Sequence, residues 1–304
     1  MTDQIPALKL RGIVMRAPDI TQTIDFYTEM WGLRAEKSGE GIVYLSGTGS
    51  EPFIYGLKDS DSYGIEYIHF GTNDRADMDA LYAHATAKGV ATVAAPAEFD
   101  DPIGGYGFEL LDPDNRRIRF TTDLEMRKTE DVFAYPRKIS HVVLNTPDMD
   151  GLQKFFEDTL GFKASDYSAE MMVFLRCSKD HHSIALVRGK YPAINHVAFE
   201  MPDLDSFMRG IGRMKQQGQV PSWGPGRHGP GNNPFAYFVS PSGYVIEFTS
   251  ELAQIDEESH VAQVWSRTDP EAMDRWMTAG PPTTAQRTIM AGRPDFGFPE
   301  LREE

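Results

Sequence analysis

Residues 141–162 read HVVLNTPDMDGLQKFFEDTLGF, and this stretch decides the fold. The apolar run at its head has the β-branched character of a strand. Asp148 then offers a side-chain acceptor at a helix start. Met149, Leu152, Phe156 and Leu160 follow at i, i+3, i+7 and i+11, a single apolar helical face, and Gly161 ends it. The same plan recurs as GIVMRAPDITQTIDFYTEMWGL at 12–33, with Gly32 as its stop, YIHFGTNDRADMDALYAHATAKG at 67–89 and HVAFEMPDLDSFMRGIGRMKQQG at 196–218. Asp19, Asp74, Asp148 and Asp203 mark the four helix starts. The first two are 55 residues apart, the last two are 55 apart, and Asp19 to Asp148 is 129. The chain is therefore a pair of pairs.

Short β-type runs with turn residues follow each helix, at 41–44 and 52–55, 107–111 and 116–121, 171–175 and 183–187, and 235–239 and 244–249. Each unit reads βαβββ, about 50–60 residues, too small to be comfortable alone. The expected fold is α+β, four such modules paired into two domains, 1–123 and 138–251. A charged linker is expected at 124–137. The Pro/Gly-rich tail, 252–304, is expected to act as a lid or an assembly segment, with a short helix around 271–277.

Composition is that of a soluble globular chain of 304 residues, 40% hydrophobic and 25% charged. A net charge of −15 argues against nucleic acid or an anionic membrane surface as partner. Cys177 is the single cysteine, so no intramolecular disulfide can form, and a reducing compartment is expected. The sequence shows no apolar run of the signal-peptide kind and none approaching the ~18 residues of a membrane span, so a cytoplasmic location is expected.

Superposing the halves by 129 residues exposes a contrast. His141 falls on Gly12 and His196 on Tyr67. Glu247 falls on Arg119 with a one-residue gap, set by the turns at 113 and 241. Glu247 lies among apolar residues in a strand, where an ionised carboxylate should not be buried unpaired. Two imidazoles and a carboxylate brought together by equivalent strands form a ligand set suited to non-haem Fe(II), with Mn(II) equally compatible. A lone strand histidine usually plays a blander part, but three accidents would not choose equivalent positions. The first half, with Gly12, Tyr67 and Arg119, reads as a metal-free structural partner. There Glu109 stands where Tyr237 does, and His69 reads as structural.

The stretches ISHVVLNTPD, DHHSIALVRG, INHVAFEMPD and GPGRHGPGNNPFAYFVSPSGYVIEFTSE carry a family resemblance. The second half resembles the type I extradiol ring-cleavage dioxygenases of the vicinal oxygen chelate superfamily, similar to the catechol, homoprotocatechuate and biphenyl-diol enzymes. The specific motifs occur only between His141 and Glu251. The resemblance implies two vicinal-oxygen-chelate (glyoxalase/bleomycin-resistance-like) domains, with His141, His196 and Glu247 as iron ligands. It implies His182 as the acid/base group, and His228 and Tyr237 as hydrogen-bonding partners of substrate or oxygen. His181 reads as structural or superficial. The implied reaction inserts both atoms of dioxygen into a small aromatic diol, next to the hydroxyls. It also implies a homo-oligomer, often a tetramer. Two alternatives stand beside it: a metal-dependent isomerase or epimerase of the same superfamily, or a non-enzymatic drug-sequestering protein. Met172, Phe174, Phe235, Trp276, Arg287 and Arg293 are expected at the pocket wall, with a tail arginine pairing a substrate carboxylate.

Overall fold

A computed structural model describes residues 5–130, 132–266 and 268–295. Four βαβββ units are present, two in each half. The first comprises β1 (Lys9–Ala17), α1 (Thr21–Asp25) continuing into a π-helical turn (Phe26–Trp31), β2 (Arg34–Gly39), β3 (Ile42–Ser46) and β4 (Tyr55–Asp59). The second comprises β5 (Gly64–Gly71), α2 (Arg75–Ala87), β6 (Ala97–Glu98), β7 (Tyr106–Leu111) and β8 (Arg117–Thr122). The third has β9 (Lys138–Thr146), α3 (Met149–Leu160), β10 (Lys163–Ser168), β11 (Met172–Arg176) and β12 (Ile184–Arg188). The fourth has β13 (Ala193–Glu200), α4 (Leu204–Gln216), β14 (Trp223–Arg227), β15 (Pro234–Val239) and β16 (Val245–Thr249). The tail adds β17 (Gln263–Trp265), α5 (Pro270–Met273) and α6 (Thr284–Met290), so its helical turn starts and ends before the expected 271–277.

Three of the four aspartates cap as expected. Asp74, Asp148 and Asp203 accept from the backbone N–H of Asp77, Gly151 and Ser206 at 2.9, 3.0 and 2.7 Å. Asp19 does not. It sits at φ 46°, and the first helix begins from Ile20 with no side-chain cap. Gly32 and Gly161 both end their helices in the left-handed conformation, at φ 96° and 71°.

Each half forms one sheet whose two units meet through their first strands. The orders are β2-β3-β4-β1-β5-β8-β7-β6 and β14-β15-β16-β13-β9-β12-β11-β10-β17. The central pairs, β1 with β5 and β9 with β13, are antiparallel. Alternation sends Val197, Phe199, Ile246 and Phe248 to one face of the second sheet and His196 and Glu247 to the other. The apolar face joins a core shared by both halves. Trp31 of the first half stacks on Phe248 of the second with ring centroids 3.6 Å apart. The opposite face is left to curl around a cup. No helix among the described residues is long and apolar enough to cross a membrane.

Candidate metal centre and its cavity

The site follows from strand register. On β9 and β13, His141 lies opposite Ala198 and Val143 opposite His196. On the other flank, Glu247 of β16 also lies opposite Ala198. Ala198 is thus the floor between three ligand-type side chains, and its single methyl leaves the space above it open. His141 Nε2 and His196 Nε2 lie 3.3 and 3.2 Å from Glu247 Oε2. One donor atom from each of the three residues lies within 4.8 Å of the others, and all three residues are buried.

This arrangement fits a divalent cation. His196 Nε2 and Glu247 Oε2 are buried without a hydrogen bond, close as they are to one another. Such orphaned atoms cost about 1–3 kcal/mol each, and an ion at their meeting point satisfies them. Burial alone would raise the Glu247 carboxyl, but the two imidazoles outweigh it and hold the group below the usual carboxylate range. Burial pushes the His196 imidazole down, with Glu247 partly opposing. A neutral imidazole and an ionised carboxylate are the forms that bind metal.

Further hydrogen bonds orient the ligands. His196 Nδ1 lies 2.8 Å from Asn195 Oδ1, Asn195 Nδ2 donates to Asn145 Oδ1 at 3.0 Å, and Asn145 Nδ2 donates to the Met290 and Ala291 carbonyls at 2.9 and 3.1 Å. The chain of contacts from one ligand therefore ends on the tail. His228 Nδ1–H donates to the Met273 carbonyl at 3.1 Å, which can only accept. Burial pushes His228 down to about 4, so its ring is neutral and Nε2 accepts from the Tyr237 hydroxyl at 3.1 Å. Burial first, and the Glu247 charge second, hold the Tyr237 phenol well above its ordinary value, so it remains an O–H donor. The His182 ring lies tilted against His141 with centroids 4.2 Å apart, and burial and the neighbouring imidazoles push it well down.

All six expected residues except Glu247 line one cavity of about 170 Å³, and Glu247 lies at its foot against His141 and His196. Val143, Met172, Phe174 and Trp223 form its apolar wall. The tail closes it with Ala272, Met273, Pro282 and Met290. Met172 and Phe174 stand where expected, but the other wall candidates do not. Phe235 backs the ring of His228 at 4.0 Å, Trp276 lies near the Arg227 guanidinium, Arg287 donates to the Pro282 carbonyl, and Arg293 covers Tyr63. His181 is not superficial: it is buried between His182 and Asp166. Sequence reasoning also passed over Ala198 and Asn195. Ala198 was readable as the small residue two places past His196 on the same face, whereas Asn195 gave no such signal.

The family model described as the Glyoxalase/Bleomycin resistance protein/Dioxygenase superfamily matches residues 9–120 and 138–248. The chain belongs to this superfamily. Its relatives include metapyrocatechase 2 of Cupriavidus necator, 32% identical over 148 residues, or 48% of this chain and 45% of that protein. An iron-dependent extradiol dioxygenase of Rhodococcus jostii is 24% identical over 72% of this chain and 84% of its own length. The crystal structure of a Mn(II)-bound glyoxalase from Novosphingobium aromaticivorans is 36% identical, with a TM-score of 0.86 over 92% of this chain and 94% of that one. This chain carries its candidate ligand set, His141, His196 and Glu247, in the second half, while the corresponding positions of the first half are Gly12, Tyr67 and Arg119.

Proposed function

We propose that the protein is an extradiol dioxygenase that opens a catechol-type ring beside its two hydroxyls, using dioxygen and a divalent Fe(II) ion, with Mn(II) as the alternative, held by His141, His196 and Glu247. The observation that carries this reading is the convergence of three buried donor atoms at the foot of an apolar cavity also lined by His182, His228 and Tyr237. Bound there, the ion supplies Lewis acidity that favours ionised diol oxygens, and access to dioxygen. His182 exchanges a proton with a substrate oxygen. On binding, the Tyr237 hydroxyl turns its one hydrogen from His228 Nε2 to an oxygen of the ring or product, and His228 takes that hydrogen back when the site empties. Val143, Met172, Phe174 and Trp223 grip the ring and exclude water.

Among the described residues the cavity wall has no lysine or arginine. This supports an uncharged diol as substrate, and a tail arginine pairing with a substrate carboxylate has no support. A second reading, metal-dependent isomerisation, is favoured by the likeness to the Mn(II)-bound glyoxalase. Its expected substrate is a hemithioacetal, which offers adjacent oxygens but no ring.

The test is anaerobic reconstitution with Fe(II) or Mn(II), followed by exposure in air to catechol, alkyl- and aryl-catechols, a carboxylated catechol and a hemithioacetal. Ring cleavage gives a yellow product from the neutral diols, weakly or not at all from the acidic one, and none in His196→Ala. Turnover of the hemithioacetal alone moves the protein to the second reading. No tight metal at all sinks both.

A further inference from the structure

Behind His182 lie two buried residues that the proposed chemistry leaves without a part, His181 and Asp166. Asp166, on β10, is held by donors that cannot accept. Its Oδ1 takes the backbone N–H of Gln263 and its Oδ2 the indole N–H of Trp265, each at 2.8 Å, both from the tail strand β17. His181 Nε2 reaches the same Oδ2 at 3.1 Å. An ionised carboxylate only accepts, so the hydrogen of that contact sits on His181 Nε2. The other nitrogen, His181 Nδ1, faces His182 Nδ1 at 3.0 Å, a gap that holds one hydrogen and no more. With its one hydrogen at Nε2, His181 accepts at Nδ1, and His182 donates from Nδ1. The His181 backbone is pinned by its N–H to the Ala253 carbonyl at 2.8 Å. Gly231 (φ +74°) lies against the ring, where a β-carbon would sit 3.3 Å from Nδ1.

We propose that Asp166 and His181 are positioning residues that lock His182 in its Nδ1–H tautomer and so present an unprotonated Nε2 to the cavity. A second histidine held by a carboxylate orients the reacting one, the logic by which a buried aspartate orients a catalytic imidazole. Given the diol reading above, on which this step rests, the substrate O–H bond breaks and its proton joins His182 Nε2. The positive charge is then stabilised through His182 Nδ1–H to His181 and through His181 Nε2–H to Asp166. Return of that proton to a product oxygen restores the starting state. Strand β17 is thereby part of the site, although it touches no ligand of the proposed metal.

The tautomer is read directly by long-range 1H–15N correlation on the full chain labelled with 15N-histidine and loaded with diamagnetic Zn(II), with His182 assigned by its loss in His182→Phe. The expected spectrum shows His182 protonated at Nδ1. In Asp166→Asn the amide NH2 must face the Gln263 or the Trp265 N–H, neither of which accepts, so the hold on His181 loosens and His182 appears as a mixture of tautomers. His181→Asn, whose carboxamide oxygen accepts from His182, retains the Nδ1–H form, whereas His181→Leu releases it to a mixture. An Nε2–H tautomer in the unaltered protein overturns the proposal, even if every variant fails to fold. In turnover of a neutral catechol, Asp166→Asn is expected to lower kcat at least about tenfold with KM within about twofold. A rise in KM with kcat kept means the pair only shapes the wall, and also overturns it. The spectrum needs no diol, so the expected tautomer in a protein that cleaves no diol refutes the ring-cleavage reading and leaves the lock standing.

Discussion

The two halves share one plan and place opposite charges at the same address. In the second, His141, Ala198 and Glu247 lie in register across the central strands. In the first, the same register reads Gly12, His69 and Arg119. Glu247 is paired across β15 with Tyr237, and Arg119 across β7 with Glu109. The first half thus carries its own cation. The Arg119 guanidinium bonds Glu109 at 2.7 Å and also Asp101, and lies over the rings of Tyr67 and Phe99 at 4.1 and 4.4 Å. The space is filled as well: His69 occupies the floor, stacked on Phe53 at 5.2 Å and bonded to Thr121 at 2.6 Å. A tethered cation cannot leave and offers no open position to a reactant. On the proposed reading, a half that takes its cation from solution keeps one, and that difference separates the structural half from the reactive one.

The largest effect should come from removing the charge at each centre. Arg119→Ala strips Asp101 of its ion-pair partner and leaves Glu109 only the part-exposed Arg117, and should cost about 3 kcal/mol in urea unfolding. Glu247→Gln should leave the metal-free protein near its original stability and abolish the rise in Tm that Fe(II) or Mn(II) produces in the parent. If Glu247→Gln destabilised the metal-free chain as much as Arg119→Ala, the two centres would be equivalent ion pairs and the contrast would collapse.

Much of this contrast was legible in the residues. The spacings of 55 and 129 are periodicities of local structure, and the observed registers of Gly12, Tyr67 and Arg119 match those of His141, His196 and Glu247. What the sequence hid depends on contacts far along the chain. Asp19 resembles its three counterparts, yet the first helix winds into a π-turn that carries Trp31 onto Phe248 and starts without that cap. His181 read only as structural or superficial, because its partner Asp166 and the tail residues Gln263 and Trp265 that hold that aspartate are ordinary residue types with no periodic signature. The tail arginines looked like anion binders, but backbone carbonyls and aromatic rings already occupy them.

A sharper version of the comparison concerns volume. Ala198→Leu pushes a branched side chain into the space above the floor of the second half, and should lower Fe(II) affinity at least about tenfold in a chelator competition. Gly12→Ala acts on the first half by a different route, because its β-carbon would meet the Ile54 carbonyl oxygen at 2.9 Å. It should cost about 1–3 kcal/mol of stability and leave metal affinity unchanged. Loss of metal in Gly12→Ala would show that the halves are coupled where the structure separates them.

The smallest expected effect is a pH slope, and the first half is where to seek it, since no metal ligand complicates the titration. Burial, then the charges of Arg11 and Arg119, holds His69 well below its ordinary value. In the unfolded chain the same imidazole takes up a proton as the pH falls through about 6.5. Over that range the unfolded state binds more protons than the folded one, so stability rises with pH. The contribution is fully present above the unfolded value and is lost on acidification down towards the lowered folded one, by about 1.4 kcal/mol per pH unit at most. His69→Gln keeps an amide for Thr121 but cannot titrate, so its stability should fall less steeply between pH 6.5 and 5. Measured by urea unfolding at several pH values, equal slopes in parent and variant would mean that His69 accepts its proton in the folded state, and that burial and the two arginines do not hold it neutral.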